Sequence, residues 1–149
     1  MFKTALIALY LSMLATPAHA GDGIVSHPST HTVKASLDKL ESIAKDNGMA
    51  IFIRIDHAAG AKSVGQALRP TEVLIFGNPK GGTPLMQCVQ GFGLDLPLRV
   101  LAWEDQAGKV WLGYRDLVTL GHAFTNADCD LAVKRISGKL DEMVKAAAE

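Results

Sequence analysis

The chain has 149 residues, with 15 lysines and arginines against 15 aspartates and glutamates, 48% hydrophobic residues and two cysteines. With no net charge and no basic tract it lacks the electrostatic footprint of nucleic-acid binding, and its apolar content is too high for disorder. One globular domain is what this length allows.

At the N-terminus Lys3 precedes an apolar run from Ala5 to Leu14, and Ala18-His19-Ala20 stands just before Gly21. A charged start, an apolar centre and a small-residue A-x-A end are the parts of a cleavable secretory signal. The run is about ten residues, short of the roughly 20 that a spanning helix needs, and no basic stop-transfer cluster follows. Residues 1–20 are therefore expected to be removed, taking one basic residue, Lys3, and no acid, and leaving a near-neutral chain. The mature protein is expected to be periplasmic or secreted with no stable membrane span; an uncleaved anchor is the alternative. Export makes Cys88 and Cys129 candidates for a disulfide, which would contribute about 4 kcal/mol in the chain-entropy view. Two separate buried thiols are the competing reading. No C-x-x-C is present, so a thioredoxin-like redox motif is unsupported.

Residues 21–30 mix Gly, Ser, Pro and His without a period and read as a flexible lead-in to a domain over 31–149. His27 and His31 form an H-x3-H pair, but Pro28 argues against the helix on which such a pair binds metal. A short strand is expected over Thr32–Ser36, then a helix carried by Leu37, Leu40, Ile43 and Ala44 and stopped at Asn47-Gly48. Met49–Ile55 is a nearly continuous apolar run, the pattern of a strand buried on both faces. Asp56 is placed to cap a helix bearing Ala58, Ala61, Val64 and Leu68, ended by Arg69-Pro70. Thr71–Phe76 is a second buried strand, which gives way to a loop from Gly77 to Gly82. Thr83-Pro84 then restarts a helix with Leu85, Met86, Cys88 and Val89 on its apolar side. Leu98–Glu104 and Lys109–Arg115 make a hairpin through Asp105–Gly108, with Trp103 and Trp111 placed to pair across it. Asn126 caps a last helix from Ala127 to Ala148. This order predicts a single compact α+β domain: a mixed sheet, helices packed mainly on one face, and a C-terminal helix.

Three places carry candidate chemistry. Beside Asn78, the backbone amides of Lys80, Gly81, Gly82 and Thr83 can converge on an anion at a strand-to-helix junction. Lys80 precedes the glycine pair, so this is no Walker motif, and a tight turn exploiting glycine is the competing reading. Asp56-His57 follows directly on a strand, where open sheets often bind ligands. His57 is there a candidate base or metal ligand, against a reading in which Asp56 only caps a helix and His57 is half-exposed. Tyr114 lies on the hairpin with the tryptophans, where ligand contact competes with core or dimer packing. No G-x-S-x-G elbow occurs, and Ser63 and Ser137 fall within helical patterns, so nucleophilic catalysis is poorly supported.

The stretches Arg54-Ile55-Asp56-His57-Ala58-Ala59-Gly60-Ala61, Leu68 to Gln87, Leu94 to Arg99, and Trp103-Glu104-Asp105 through Gly108-Lys109-Val110-Trp111-Leu112-Gly113-Tyr114 together resemble the domain of unknown function 302 family, over roughly residues 30–148. That resemblance implies a compact α+β fold seen as dimers and gives no established reaction. It marks Asp56, His57, Asn78, Pro79, Lys80, Met86, Asp95 and Tyr114 as matching positions, with His31 and His122 resembling family histidines. Cys88 and Cys129 lie outside the family pattern.

Two functional readings follow. The first is a non-enzymatic exported binding or sensing module, expected as a homodimer, that holds a small ligand, an anion or a cofactor near His57 and the Asn78–Thr83 loop. The second is an enzyme or redox protein that uses His57, oriented by Asp56, or holds a metal or haem through His57 with His31 or His122. The cofactor itself is not identified by the sequence.

Overall fold

The computed structural model describes residues 23–120 and 127–149; the expected signal segment 1–20, His122 and the Asn126 cap lie outside them. The elements run β1 (Ile24–Ser29), α1 (Val33–Asp46), β2 (Ala50–Asp56), α2 (His57–Ser63), β3 (Thr71–Gly77), α3 (Pro79–Cys88), β4 (Leu98–Glu104), β5 (Val110–Arg115) and α4 (Ala127–Ala148). Short 3-10 turns at Gln90–Leu94 and Leu117–Leu120 complete them. The five strands form one sheet in the order β1-β5-β4-β3-β2. The α+β class, single domain and C-terminal helix are as expected. Every strand pairing is antiparallel, however, where the sequence predicts a mixed sheet. The strand-helix-strand order suggests parallel neighbours, but β1 and β2 sit at opposite edges and never meet.

Alternation along the strands gives the sheet two different faces. Leu74 and Phe76 of β3, Val100 and Ala102 of β4, and Leu112 and Tyr114 of β5 are buried on one of them. α1 covers that face with Leu37, Leu40 and Ala44, and α4 with Val133, Leu140, Val144 and Ala147, to form the core. The other face carries Ile53, Ile55, Val73, Ile75, Leu101, Trp103 and Trp111, and among the described residues no helix lies across it as α1 and α4 do across the first.

Several expected boundaries move for identifiable reasons. Residues 24–29, read as lead-in, are the edge strand β1. Its core-facing positions include His27 and Ser29, paired with Asp141 and Ser36, so no apolar alternation advertises the strand. Pro28 is tolerated because an edge strand does not need every N–H. Thr32 opens α1 instead of belonging to a strand, since its Oγ1 accepts a hydrogen bond from the Ala35 amide at 3.2 Å. β2 is an edge strand and not a doubly buried one: Phe52 is 58% exposed and Ile53 51%. On its core-facing side Arg54 replaces an apolar residue, donating to Glu72 at 2.7 Å and to Asp38 of α1 at 2.6 Å. α2 is shorter than expected, because Gly65 takes a left-handed conformation (φ +73°) directly after its C-cap Val64; Val64 and Leu68 are exposed.

α3 begins at Pro79, five residues before the expected first position Pro84, so Gly81 and Gly82 lie inside the helix and Pro84 in its middle. Its last residue, Cys88, is disulfide-bonded to Cys129 in the first turn of α4, with Cα atoms 6.0 Å apart. The bridge ties the end of α3 to the start of α4.

Candidate functional site

α3 starts where β3 ends, and one residue organises the junction. Asn78 Oδ1 accepts from the Lys80 amide at 2.9 Å, while its Nδ2 donates to the Gly48 carbonyl at 2.8 Å across the turn that follows α1. The Asn78 carbonyl accepts from the Gly81 and Gly82 amides, both at 3.0 Å. With Pro79 carrying no N–H, the amides expected to cradle an anion are engaged within the helix start. Neither glycine has a positive φ, so the tight-turn reading fails as well. Their reason is closeness: a Cβ on Gly82 would stand 3.2 Å from Leu96 Cδ1, and one on Gly81 would stand 3.8 Å from Ile136 Cδ1.

What Asn78, Gly81, Gly82 and Thr83 do share is one wall of a groove of about 710 Å³ between α3 and the ends of β2, β3 and β4. Met49, Phe52, Ile53, Met86, Leu96 and Ile136 line it in the main. Its floor is Gly77, where an added Cβ would lie 3.5 Å from both the Phe52 ring and Pro97. Ile53, Ile75 and Arg99 form a cross-strand row along one side. Among the described residues Arg99 is the one ionisable side chain in the lining. It donates to the Leu94 carbonyl at 3.1 Å and forms no ion pair among the described residues.

The remaining candidates lie elsewhere. Asp56 caps α2, accepting from the Ala59 amide at 2.8 Å, and both Asp56 and His57 are exposed. Five residues of extended chain separate His57 from Phe52, about 17 Å at strand rise, and His57 borders neither cavity. Lys80 is exposed at the rim of α3. His31 follows β1 and His57 follows β2; four strand spacings part those edges, about 19 Å. His31 Nε2 is buried without a hydrogen-bond partner, and no three metal-ligating side chains converge among the described residues.

Tyr114 is buried on the helix-covered face and borders a second cavity of about 410 Å³ with Asp95, Arg99, Leu117 and Leu120. Its hydroxyl donates to Asp141 Oδ1 at 2.7 Å, where His27 Nε2 also donates at 2.7 Å, and Lys145 Nζ reaches Oδ2 at 2.6 Å. Burial works against the Asp141 charge, but the hydrogen bonds from Lys145, Tyr114 and His27 outweigh it and carry the carboxyl down to about 2. Burial and that same carboxylate push the Tyr114 hydroxyl far above its ordinary range. The cluster is a locked strut between the β1-β5 edge and α4. Sequence reasoning missed it because His27 reads as linker and Asp141 as a solvated helix position. It also missed Phe52 and Arg99 as groove residues: a register shift between Ile51 and Ile53 interrupts the strand period.

Comparison with known proteins gives relatives and a fold match. Over 127 residues the chain is 44% identical to a protein named fluoride-specific ion channel FluC 1 in Brucella suis biovar 1, a match covering 85% of this chain and 50% of that protein. The protein of the same name in Brucella abortus biovar 1 matches at 44% identity over 47% of its length. The chain thus spans about half the length of the curated relatives it matches. The crystal structure of an uncharacterized conserved DUF302 protein from Bacillus stearothermophilus shares the fold, with a TM-score of 0.67 over 85% of this chain and 96% of that one at 16% identity. A family model described as domain of unknown function DUF302 matches residues 25–147, and the chain belongs to that family.

Proposed function

We propose that the protein is an exported, non-enzymatic module that binds a small apolar molecule in the groove between α3 and β2-β3-β4. The groove itself carries this reading: about 710 Å³ of mostly apolar lining with Asn78 and Thr83 at its edge, within the size and character of small-molecule sites. Among the described residues no acid-base pair or nucleophile-base pair borders it. The reading in which His57 acts as base or ligand rests on its sequence position, since His57 lines neither the groove nor the second cavity. Export is supported by the A-x-A segment and by the Cys88–Cys129 bridge, a bond that persists in oxidising compartments.

Titration of the neutral dye Nile red tests the binding reading. Saturable, one-to-one emission is expected, and it should be lost in Gly77→Val, which fills the floor, and weakened in Ile53→Asn, which sits on an exposed strand and leaves the fold intact. Dye binding that survives both variants, or is absent from the native protein, overturns the reading.

The Brucella relatives favour a second, compatible placement. A channel has to cross the bilayer, and only helices or closed barrels do so. Among the described residues no helix is long and apolar enough to cross a membrane, and the sheet is open at β1 and β2. The match covers about half of those relatives, and we propose that in them this domain lies outside the part that crosses the bilayer. Two copies are proposed to pair through the uncovered sheet face.

A further inference from the structure

We infer that the groove takes a single-chain amphiphile, an apolar chain ending in a carboxylate or similar monoanion, with Arg99 holding the head. This rests on the reading of the groove as a ligand site and adds the ligand's chemical class. The lining is apolar except for a few edge groups, and its one ionisable side chain among the described residues is a cation. A guanidinium has five N–H donors in a planar fork suited to a carboxylate. Arg99 uses one of them on the Leu94 carbonyl and has no acidic partner among the described residues. A free inorganic anion fits poorly, because the amides of Lys80, Gly81 and Gly82 are already engaged by Asn78. A cationic ligand would face Arg99 and the positive end of the ten-residue α3 together. A neutral chain would gain nothing from the guanidinium charge, whose remaining donors would stay with water. The row Ile53-Ile75-Arg99 sets the geometry: chain against the isoleucines and Phe52, head at the strand that carries Arg99.

Displacement of Nile red by sodium dodecanoate, decanoate and 1-dodecanol, all below their aggregation concentrations, tests this. Dodecanoate should bind about tenfold tighter than dodecanol, the scale of one charge-assisted hydrogen-bonded pair at a partly solvated site. It should bind tighter than decanoate by about fourfold per added methylene. Arg99→Gln should remove the preference for the carboxylate, and Arg99→Lys should restore part of it. Arg99 is exposed, so neither change threatens the fold. Equal binding of dodecanoate and dodecanol, or a carboxylate preference that survives Arg99→Gln, overturns the inference and leaves the apolar groove standing. Failure of all three probes on a native protein that also fails to bind Nile red overturns both.

Discussion

At the scale of single residues, small side chains are set by what presses on them. Gly113 lies beneath the Trp103 indole, and a Cβ there would stand 2.8 Å and 2.9 Å from two ring carbons and 3.4 Å from the Val25 carbonyl. Gly113→Ala should therefore cost about 1–3 kcal/mol by overpacking, read by denaturant unfolding. In a Trp103→Ala background the same change should cost much less, because the clash has gone; equal costs in the two backgrounds would refute the contact. Asp141 makes the corresponding electrostatic prediction. Its carboxyl titrates at about 2 in the folded chain against an ordinary 3.8, so its contribution is present above about pH 4 and is lost as the pH falls toward 2. Partial solvation reduces that contribution to about 1 kcal/mol. Asp141→Asn should flatten stability between pH 4 and pH 2 relative to the native chain, and an unchanged slope would refute the strut. At this scale the sequence was legible where the chemistry is local and the residue was read as a cap: Asp56 caps α2 through the Ala59 amide, whereas Thr32, expected in a strand, caps α1 instead. It was not legible where the partner is distant, as for His27 and Asp141, 114 positions apart.

Among the elements, α3 is the one the site depends on, and it is held at both ends. Asn78 fixes its start to the Gly48 turn, and the Cys88–Cys129 bridge fixes its end to α4. The bridge closes a separation of 41 residues, so Cys88→Ser with Cys129→Ser should lower unfolding stability by about 4 kcal/mol, measured against the oxidised chain. A double-serine protein as stable as the native one would mean the bridge constrains nothing. Because α3 forms one wall of the groove, the same variant should also weaken Nile red binding. The hairpin and α4 were legible to within a residue, since an Asp105 turn with Gly108 at φ +77° and a long 3.6-residue period are strong local signals. The Asp105 carboxyl is held low chiefly by the Trp111 indole N–H and then by the Lys109 amide, which ties turn and strand together. The start of α3 was misplaced because glycines and a proline read as loop, whereas Gly82 is there to admit Leu96 and Pro79 sits at a first helical position that suits it. β2 was read as buried because its apolar composition does not say which surface covers it.

At the scale of the molecule, that same composition becomes informative. One face of the sheet is sealed by α1 and α4, while the other presents Ile53, Ile55, Val73, Leu101, Trp103 and Trp111 in cross-strand rows. A two-layer domain normally leaves polar residues on its outer sheet face, and an apolar patch of this kind marks a contact surface. The sequence could show the apolar run but not its vacancy, which is why β2 was taken for core and the groove beside it went unseen. In the proposed pairing, a second copy related by a two-fold axis would satisfy the face with itself. The tryptophan pair and the Arg99 row lie four residues apart along β4, about 13 Å, so two copies that meet over Trp103, Trp111 and Ile55 leave the groove end accessible. Light scattering of the native protein should then give twice the chain mass, and Ile55→Glu, at a position already 37% exposed in one copy, should give monomers of unchanged helicity. If that variant also keeps its Nile red binding, each copy holds its own ligand. If binding falls with the dimer, the partner closes the groove. A native protein that stays monomeric on concentration would refute the pairing and leave the apolar face to another partner.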